Sequence, residues 1–317
     1  MKILIWLFTL LPLAGMAQTY PAKTVKIIVP ANPGGGLDLI GRTVADQLGR
    51  ALGQSFVVEN TAGGGGSIAA MNTARAAPDG YTLMVGYVGT HGTNPAVRKV
   101  TYDAIRDFTA IAMVGGTPNL LVVHPSVPVN DLKGFIDYAK KNPAKLNYGT
   151  GGIGLLNHLA LEQFRAAAGL EAVYAHYRGI GPALNDLVAG QINVLMPGLA
   201  AALPHIRAKR IKPIAITGLK RHPLQPDVPT FEELGFPGFD AVQWYGIVAP
   251  AKLPADITQK LNAEINKSLA SPALRERLSA EAIDPMPMAP GQFAAFIETE
   301  IARYKKLAQE RNISLDD

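Results

Sequence analysis

Val25-Lys26-Ile27-Ile28-Val29-Pro30-Ala31-Asn32-Pro33-Gly34-Gly35-Gly36-Leu37-Asp38 sets the pattern of the whole chain. Its first five residues read as a β-strand, its glycines as a tight loop, and residues 38–52 as an amphipathic helix. The unit then repeats. Residues 55–59 read as a strand, 67–77 as a helix ended by Pro78-Asp79-Gly80, and 81–87 as a third strand. Such alternation predicts an α/β fold with largely parallel strands. Near residue 110 the pattern changes: 111–114 and 120–123 are strand-like, with Gly115-Gly116-Thr117-Pro118 between them reading as a turn. A second series follows, with helices at 132–141, 155–168, 182–189 and 203–208 and strands at 146–148, 173–177, 192–196 and 214–217. Residues 219–243 are rich in Pro and Gly, 244–250 read as another strand, and helices at 255–269, 272–281 and 290–309 follow. Two series with a late returning strand imply two crossings, near 115–120 and 240–245. That is a hinge, and ligands sit in the clefts that hinged lobes form.

The first residues carry an address. Lys2 precedes the apolar run Ile3 to Leu13, and Ala14, Gly15 and Ala17 follow. A cationic start, a short apolar core and small residues predict a signal peptide over residues 1–17, cleaved after Ala17. The run is short for a membrane span, which needs about 20 apolar residues. Removing it leaves 300 of the 317 residues, a size that suits two lobes. There is no cysteine, so thiol catalysis, thiolate metal sites and disulfides are excluded. The net charge of +5 is dispersed; its densest cluster, Arg207-Ala208-Lys209-Arg210-Ile211-Lys212, reads as a solvated helix end rather than a nucleic-acid surface. A mild positive bias suits a small anionic ligand.

Three Gly-rich loops each follow a strand and precede a helix: 32–38, 60–67 and 149–154. Glycine lets backbone approach a ligand closely, and a helix start offers free N–H groups at the positive end of its dipole. Carboxylate or phosphate can bind there without a charged side chain. Asp38 and Ser67 also suit helix N-caps. The third loop, Gly149-x-Gly151-x-x-Gly154, matches the dinucleotide fingerprint literally, which opens an alternative: a secreted dinucleotide-dependent oxidoreductase. That fingerprint wants an acidic residue ending the next strand, whereas this strand ends in Tyr177-Arg178-Gly179, and Glu171 precedes it. Gly65-Gly66-Ser67-Ile68-Ala69 lacks the last glycine of a nucleophile elbow. The six histidines show no metal-ligand spacing, so neither metal nor cofactor is expected.

Many ordered strings resemble the periplasmic solute-binding proteins of tripartite tricarboxylate transporters, the Bug family. They are Pro33 to Asp38, Val58-Glu59-Asn60 with the Gly run after it, Pro78-Asp79-Gly80-Tyr81-Thr82-Leu83, and Leu146-Asn147-Tyr148-Gly149-Thr150-Gly151. His158-Leu159, Tyr177 to Ala183, Asp227-Val228-Pro229-Thr230, and Trp244-Tyr245-Gly246 with Ala249-Pro250 complete the match over essentially the whole mature chain. The resemblance implies a two-lobed Venus-flytrap fold, no catalysis, and capture of a small carboxylate. Lobe 1 would span 18–117 and 244–317, and lobe 2 would span 118–243. It implies a ligand site of Gly34, Gly35, Asp38, Gly64, Gly65 and Ser67 in lobe 1, with His91 and Asn94 in the loop after the third strand. In lobe 2 it implies Thr150, Gly152, Leu155, His158, Arg178 and Gly179. It further implies a periplasmic monomer that delivers its ligand to membrane transporter subunits; a ligand sensor for a signalling system is the alternative role. Three departures border the cleft: Ala31 stands where the family usually has a bulky aromatic residue, the Gly63–Gly66 run lacks the alanine it usually contains, and Pro197-Gly198 follows Met196 where the family often has Phe and a polar residue.

Overall fold

A computed structural model describes residues 20–315, so the expected signal peptide and its cleavage site lie outside the described residues. In chain order the elements are β1 (Val25–Val29), α1 (Gly36–Leu52), β2 (Phe56–Asn60), α2 (Ser67–Ala74), β3 (Thr82–Tyr87), α3 (Asn94–Val97) and β4 (Phe108–Pro118). Next come β5 (Leu120–Val123), α4 (Leu132–Lys141), β6 (Asn147–Thr150), α5 (Leu156–Ala168), β7 (Val173–His176), α6 (Ile180–Val188), β8 (Val194–Leu195), α7 (Leu199–Arg207) and β9 (Lys212–Ile216). Then follow β10 (Val242–Pro250), α8 (Ala255–Leu269), α9 (Pro272–Ala280), β11 (Asp284–Pro285) and α10 (Pro290–Glu310). Among the described residues no helix is long and apolar enough to cross a membrane.

The fold is α/β and two-lobed, as the sequence predicts, with one sheet per lobe. The first sheet runs β11-β4-β10-β3-β1-β2, and the second β7-β6-β8-β5-β9. Each is mixed, with two parallel pairings at one end. β1 pairs in parallel with β2 and β3, while β10 runs antiparallel to β3 and β4. β6 pairs in parallel with β7 and β8, while β5 is antiparallel to β8 and β9. The returning strands reverse direction because they enter from the other lobe rather than through a covering helix.

Local chemistry sets the helix ends. Asp131 caps α4, its Oδ1 accepting from Gly134 N at 2.7 Å, and Lys140 and Lys141 meet the negative end of the dipole. α1 stops at Gly53, which takes the left-handed conformation at φ 69°. Its buried stripe, Ile40, Val44 and Leu48, recurs every fourth residue and packs with Ile27 and Ile247 of the sheet and Leu261 of α8. Truncating the fully buried Leu48 to alanine would cost about 2–5 kcal/mol.

The apparent turn at Gly115-Gly116-Thr117-Pro118 is not one. β4 runs straight through it, pairing with both β10 and β11. A Cβ on Gly115 would stand 2.5 Å from Asp284 O, so the glycine admits the β11 backbone where the sequence reads as a break. The second helix is also shorter than expected, ending at Ala74.

The chain passes from β4 to β5 at Asn119 and returns through 217–241 into β10. One side chain ties the two passages. Thr217 Oγ1 accepts from Asn119 N (2.9 Å) and donates to Ala241 O (3.0 Å), while Thr217 N donates to Asn119 O (2.8 Å). Pro197-Gly198, the departure noted above, belongs to this tie: Pro197 O accepts from Leu120 N, and Gly198 bridges Asn119. A continuous apolar core then joins the lobes, containing Tyr148, Phe164 and Phe231 of one and Phe293 of the other, with Trp244 on β10 between. Trp244 is fully buried, and its indole Nε1 donates to Glu300 Oε2 at 3.0 Å.

Candidate ligand-binding cleft

The loop after β1 is fastened by one carboxylate. Asp38 is not the N-cap of α1; Gly35 holds that position in extended conformation, and Asp38 sits in the first turn. From there Oδ2 accepts from Gly34 N (3.0 Å) and Arg42 Nε (2.9 Å), and Oδ1 accepts from Asn60 Nδ2 (3.0 Å). Asn60 also donates to Ala31 O (3.1 Å), so the end of β2 grips both sides of the loop. The Arg42 guanidinium is the main reason the Asp38 carboxyl is held at about 2, below its ordinary 3.8, and Gly34 N–H and Asn60 add to it. Gly34 N–H is therefore spent inside the protein, whereas Gly35 is exposed and a Cβ on it would meet nothing within 4 Å.

The loop after β2 makes a left-handed turn. Gly63, Gly64, Gly65 and Gly66 all have positive φ, from 56° to 126°, a run that L side chains rarely adopt. Gly66 is also crowded: a Cβ there would stand 2.7 Å from Thr90 Cγ2 and 3.0 Å from Pro30 Cβ. Other elements hold the turn by its carbonyls. Gly65 O accepts from Tyr87 Oη (2.9 Å) and Asn94 Nδ2 (2.8 Å), and Gly64 O from Arg98 Nη1 (3.4 Å). Arg98 has no acidic partner among the described residues, so it leaves positive charge beside this loop. Ser67 does not cap α2; it is the first helical residue, its side chain and that of Asn94 turn toward Tyr102, and the buried Thr93 Oγ1 has no hydrogen-bond partner among the described residues.

His91 points into the core of lobe 1. It is fully buried, its Nδ1 is 2.8 Å from Thr90 Oγ1, and its ring stands edge-on to Phe108 at 4.6 Å. Burial pushes its pKa down to about 3.

In lobe 2 the loop after β6 is held by neutral groups. Thr150 Oγ1 is 2.8 Å from His176 Nδ1 and accepts from Gly152 N (3.2 Å). Gly151 N donates to Asn157 Oδ1 (3.0 Å), and Gly154 N to His158 Nδ1 (3.1 Å). Burial first, then the neighbouring His176, pushes His158 down to about 4, with Glu162 opposing. Gly179 caps α6 at φ 112°, and its N–H donates to Gly151 O at 2.7 Å, binding the two lobe 2 loops together. Arg178 beside it is exposed. The rim of this loop touches the other lobe: a Cβ on Gly154 would stand 2.6 Å from Val97 Cγ2 and 3.2 Å from Leu315 Cδ1.

Between these loops lies a cavity of about 200 Å³. Lobe 1 lines it with Tyr87, Val88, Gly89 and Thr93, lobe 2 with Leu155, Leu156, Asn157 and Ile180, and the crossing strand with Gln243. Of the residues expected from the sequence, only Leu155 lines it directly. Gly65 and Asn94 reach it through Tyr87, and Thr150, Gly152, His158 and Gly179 stand behind its lobe 2 wall. Gly34, Gly35 and Asp38 are one step further, for Tyr245 Oη lies under their loop, 3.1 Å from where a Cβ on Gly36 would be, and accepts from Gln243 Nε2 at 2.7 Å. Tyr87, Thr93, Asn157, Gln243 and Tyr245 escape the sequence reading. The available signal was polarity out of place: Gln243 interrupts an otherwise apolar returning strand, and Asn157 an apolar helix start. A larger concavity of about 770 Å³ flanks α1 and the edge strand β2, but no lobe 2 residue reaches it.

The sequence matches the family described as "Tripartite tricarboxylate transporter family receptor" over residues 40–313. The chain belongs to this family. It is 34% identical over 305 residues to Protein BugT of Bordetella pertussis, covering 94% of this chain and 92% of that one. Among solved structures it is similar to R. palustris Rpa4515 with adipate, at 35% identity and TM-score 0.83, over 93% of this chain and 99% of the other. It is also similar to MatC from Rhodopseudomonas palustris with bound malate, at 34% identity and TM-score 0.78, over 91% and 99% of the two chains. The two solved relatives hold dicarboxylates, adipate in one and malate in the other. The dinucleotide alternative has no structural support in its defining residue: β7 ends at His176, and Glu171 precedes it.

Proposed function

We propose that this protein captures a small carboxylate in the cavity between its lobes and carries it to the membrane subunits of a tripartite transporter. One observation supports this above the rest. The starts of α5 and α6 from one lobe and the buried, unpaired Thr93 Oγ1 from the other meet in one cavity whose lining holds no acidic side chain. Helix starts present N–H donors, and an unpaired buried hydroxyl calls for a partner. Arg98 adds positive charge nearby, while Asp38 is neutralised by Arg42. The reading places the lobe boundaries at 117/118 and 243/244, and the protein in the periplasm as a monomer after loss of residues 1–17. Closure then follows if the ligand binds the closed form more tightly than the open one.

A thermal-shift and calorimetric screen over aliphatic, aromatic and amino-acid carboxylates tests the reading; at least one is expected to bind, and none binding sinks it. Gly35→Val separates binding from folding. Space around Gly35 is open and its φ of −96° suits any residue, so the variant should fold normally. It should nevertheless lose affinity by blocking backbone approach, and unchanged affinity would remove the first loop from the site.

A further inference from the structure

Strands β6, β7 and β8 run parallel, so the helices that follow them, α5, α6 and α7, all begin at one edge of the second sheet. Ligands of α/β sheets gather at that edge. The starts of α5 and α6 line the cavity. The start of α7 is left uncapped. Its N-cap is Gly198, which offers no side chain; Gly198 is partly exposed and Ala200 is exposed. The first N–H groups of α7 thus lack a side-chain acceptor at the positive end of the helix dipole. Two polar side chains meet the same point. Asn119 bridges Gly198, and Thr117, two residues earlier, shares its face of the extended chain. That face is the one toward the cleft. Thr117 pairs directly with Gln243, which lines the cavity, and directly paired residues of neighbouring strands point to the same side. A Cβ on Gly198 would stand 3.7 Å from Asn119 Oδ1 and 3.8 Å from Thr117 Cγ2, so there is room for a side chain that the protein does not have. Asn119 is 2% exposed and Thr117 4%, yet Asn119 Oδ1 and Thr117 Oγ1 have no hydrogen-bond partner among the described residues. Buried polar atoms are seldom left so. Gly116, Pro118 and Val242 turn the other way, into a separate concavity of about 310 Å³, and the carboxylates of Asp240 and Asp284 line that side.

Building on the carboxylate reading above, we propose that Gly198, Thr117 and Asn119 form a second subsite, which takes the other end of the ligand as an anion. The uncapped start of α7 supplies backbone N–H donors, and the Thr117 hydroxyl donates beside them. Nothing holds Asn119 at Oδ1, so its amide turns Nδ2 to an anion. The subsite does not depend on that amide's orientation, because helix start and hydroxyl supply donors with either. The ligand fills the volume that a side chain at 198 would take. The ligand class is therefore a short dicarboxylate, with its second carboxylate at the start of α7.

Calorimetry with paired probes tests it. Succinate, glutarate and adipate are each titrated against their own monomethyl ester, which keeps one carboxylate and removes the other charge. The best diacid should bind wild type about tenfold or more tighter than its ester. Gly198→Asp blocks the subsite and keeps the fold, because φ −63° and ψ 147° suit any residue and aspartate is a good N-cap. Its carboxylate takes the α7 N–H groups and repels a second one, so the diacid should weaken about tenfold or more and the ester much less. Thr117→Val, nearly isosteric, should narrow the same gap. Wild type holding ester and diacid equally overturns the inference and leaves carboxylate capture standing. So does either variant, melting as wild type does, if it shifts both probes together or neither. Binding of some other carboxylate but of no diacid overturns it too, whereas absence of heat from every carboxylate overturns the proposed function itself.

Discussion

The glycine loops of the two lobes look alike in sequence and are held by opposite means. In lobe 1 they are gripped from a distance: Asn60 of β2 reaches Asp38, and Tyr87, Asn94 and Arg98 reach the carbonyls of Gly64 and Gly65. Much of that grip is ionic, through a carboxylate that stays charged down to about pH 2. In lobe 2 the loop is held mainly by its own neighbourhood, Asn157 and His158 of the helix it opens and His176 of the adjacent strand. There the grip is neutral and depends on imidazoles staying unprotonated. Equivalent backbone shapes thus have unequal tolerance of substitution and of acid.

The largest effect expected is Gly66→Val. Positive φ and close approach to Thr90 and Pro30 coincide, so the variant should lose about 3 kcal/mol or more and all ligand binding. Gly179→Ala in lobe 2 meets only the φ penalty, about 1 kcal/mol, because space around it is open. Urea melts of both variants check the contrast, and equal losses would break it. Next comes Asp38→Asn. The amide cannot accept on both atoms, so at least one of three partly buried bonds is lost; with the Arg42 pair discounted for solvent screening, about 1–2 kcal/mol is expected, together with weaker ligand binding.

Acid should act on lobe 2 before the lobe 1 carboxylate. His158 has a folded pKa of about 4 against an ordinary 6.5, so the unfolded chain takes up the proton first. Its share of stability is present above pH 6.5 and is lost as pH falls from 6.5 toward 4, by about 3 kcal/mol in order of magnitude. His91, at about 3, drains stability over a wider window in the same direction. The Asp38 contribution survives until pH falls below its ordinary 3.8 toward 2. The smallest effect sharpens the comparison: His158→Asn offers an acceptor near the position of Nδ1 and cannot titrate. It should lose less stability than wild type as pH falls from 6.5 toward 4, measured by urea melts; a wild-type pH profile would return the lobe 2 loop to a pH-independent grip.

The alternation of strands and helices was legible because burial imposes it on every element, and Gly-rich stretches between strand and helix marked the loops. What escaped was set by partners remote in sequence. Gly115-Gly116 reads as a turn because nothing nearby announces the β11 backbone that they admit. Asp38 reads as a cap because Asn60, its partner 22 residues on, is invisible to a local rule. His91 sits in a loop after a strand, where polarity suggests a cleft; its ring packs on Phe108, 17 residues on, and bonds Thr90, neither of which a local rule reveals. Gln243 faces the cavity because β10 crosses between sheets, and that path is a property of topology, not of any short string.

The touch of Gly154 against Val97 and Leu315 has a consequence for how tightly the protein can hold anything. It joins the lobes at the rim by apolar contact. Any wider separation of the lobes has to part these side chains and expose them to water, so that contact counts against opening. A β-carbon at Gly154 would wedge the rim apart, and this one glycine therefore sets how closely the two lobes can approach.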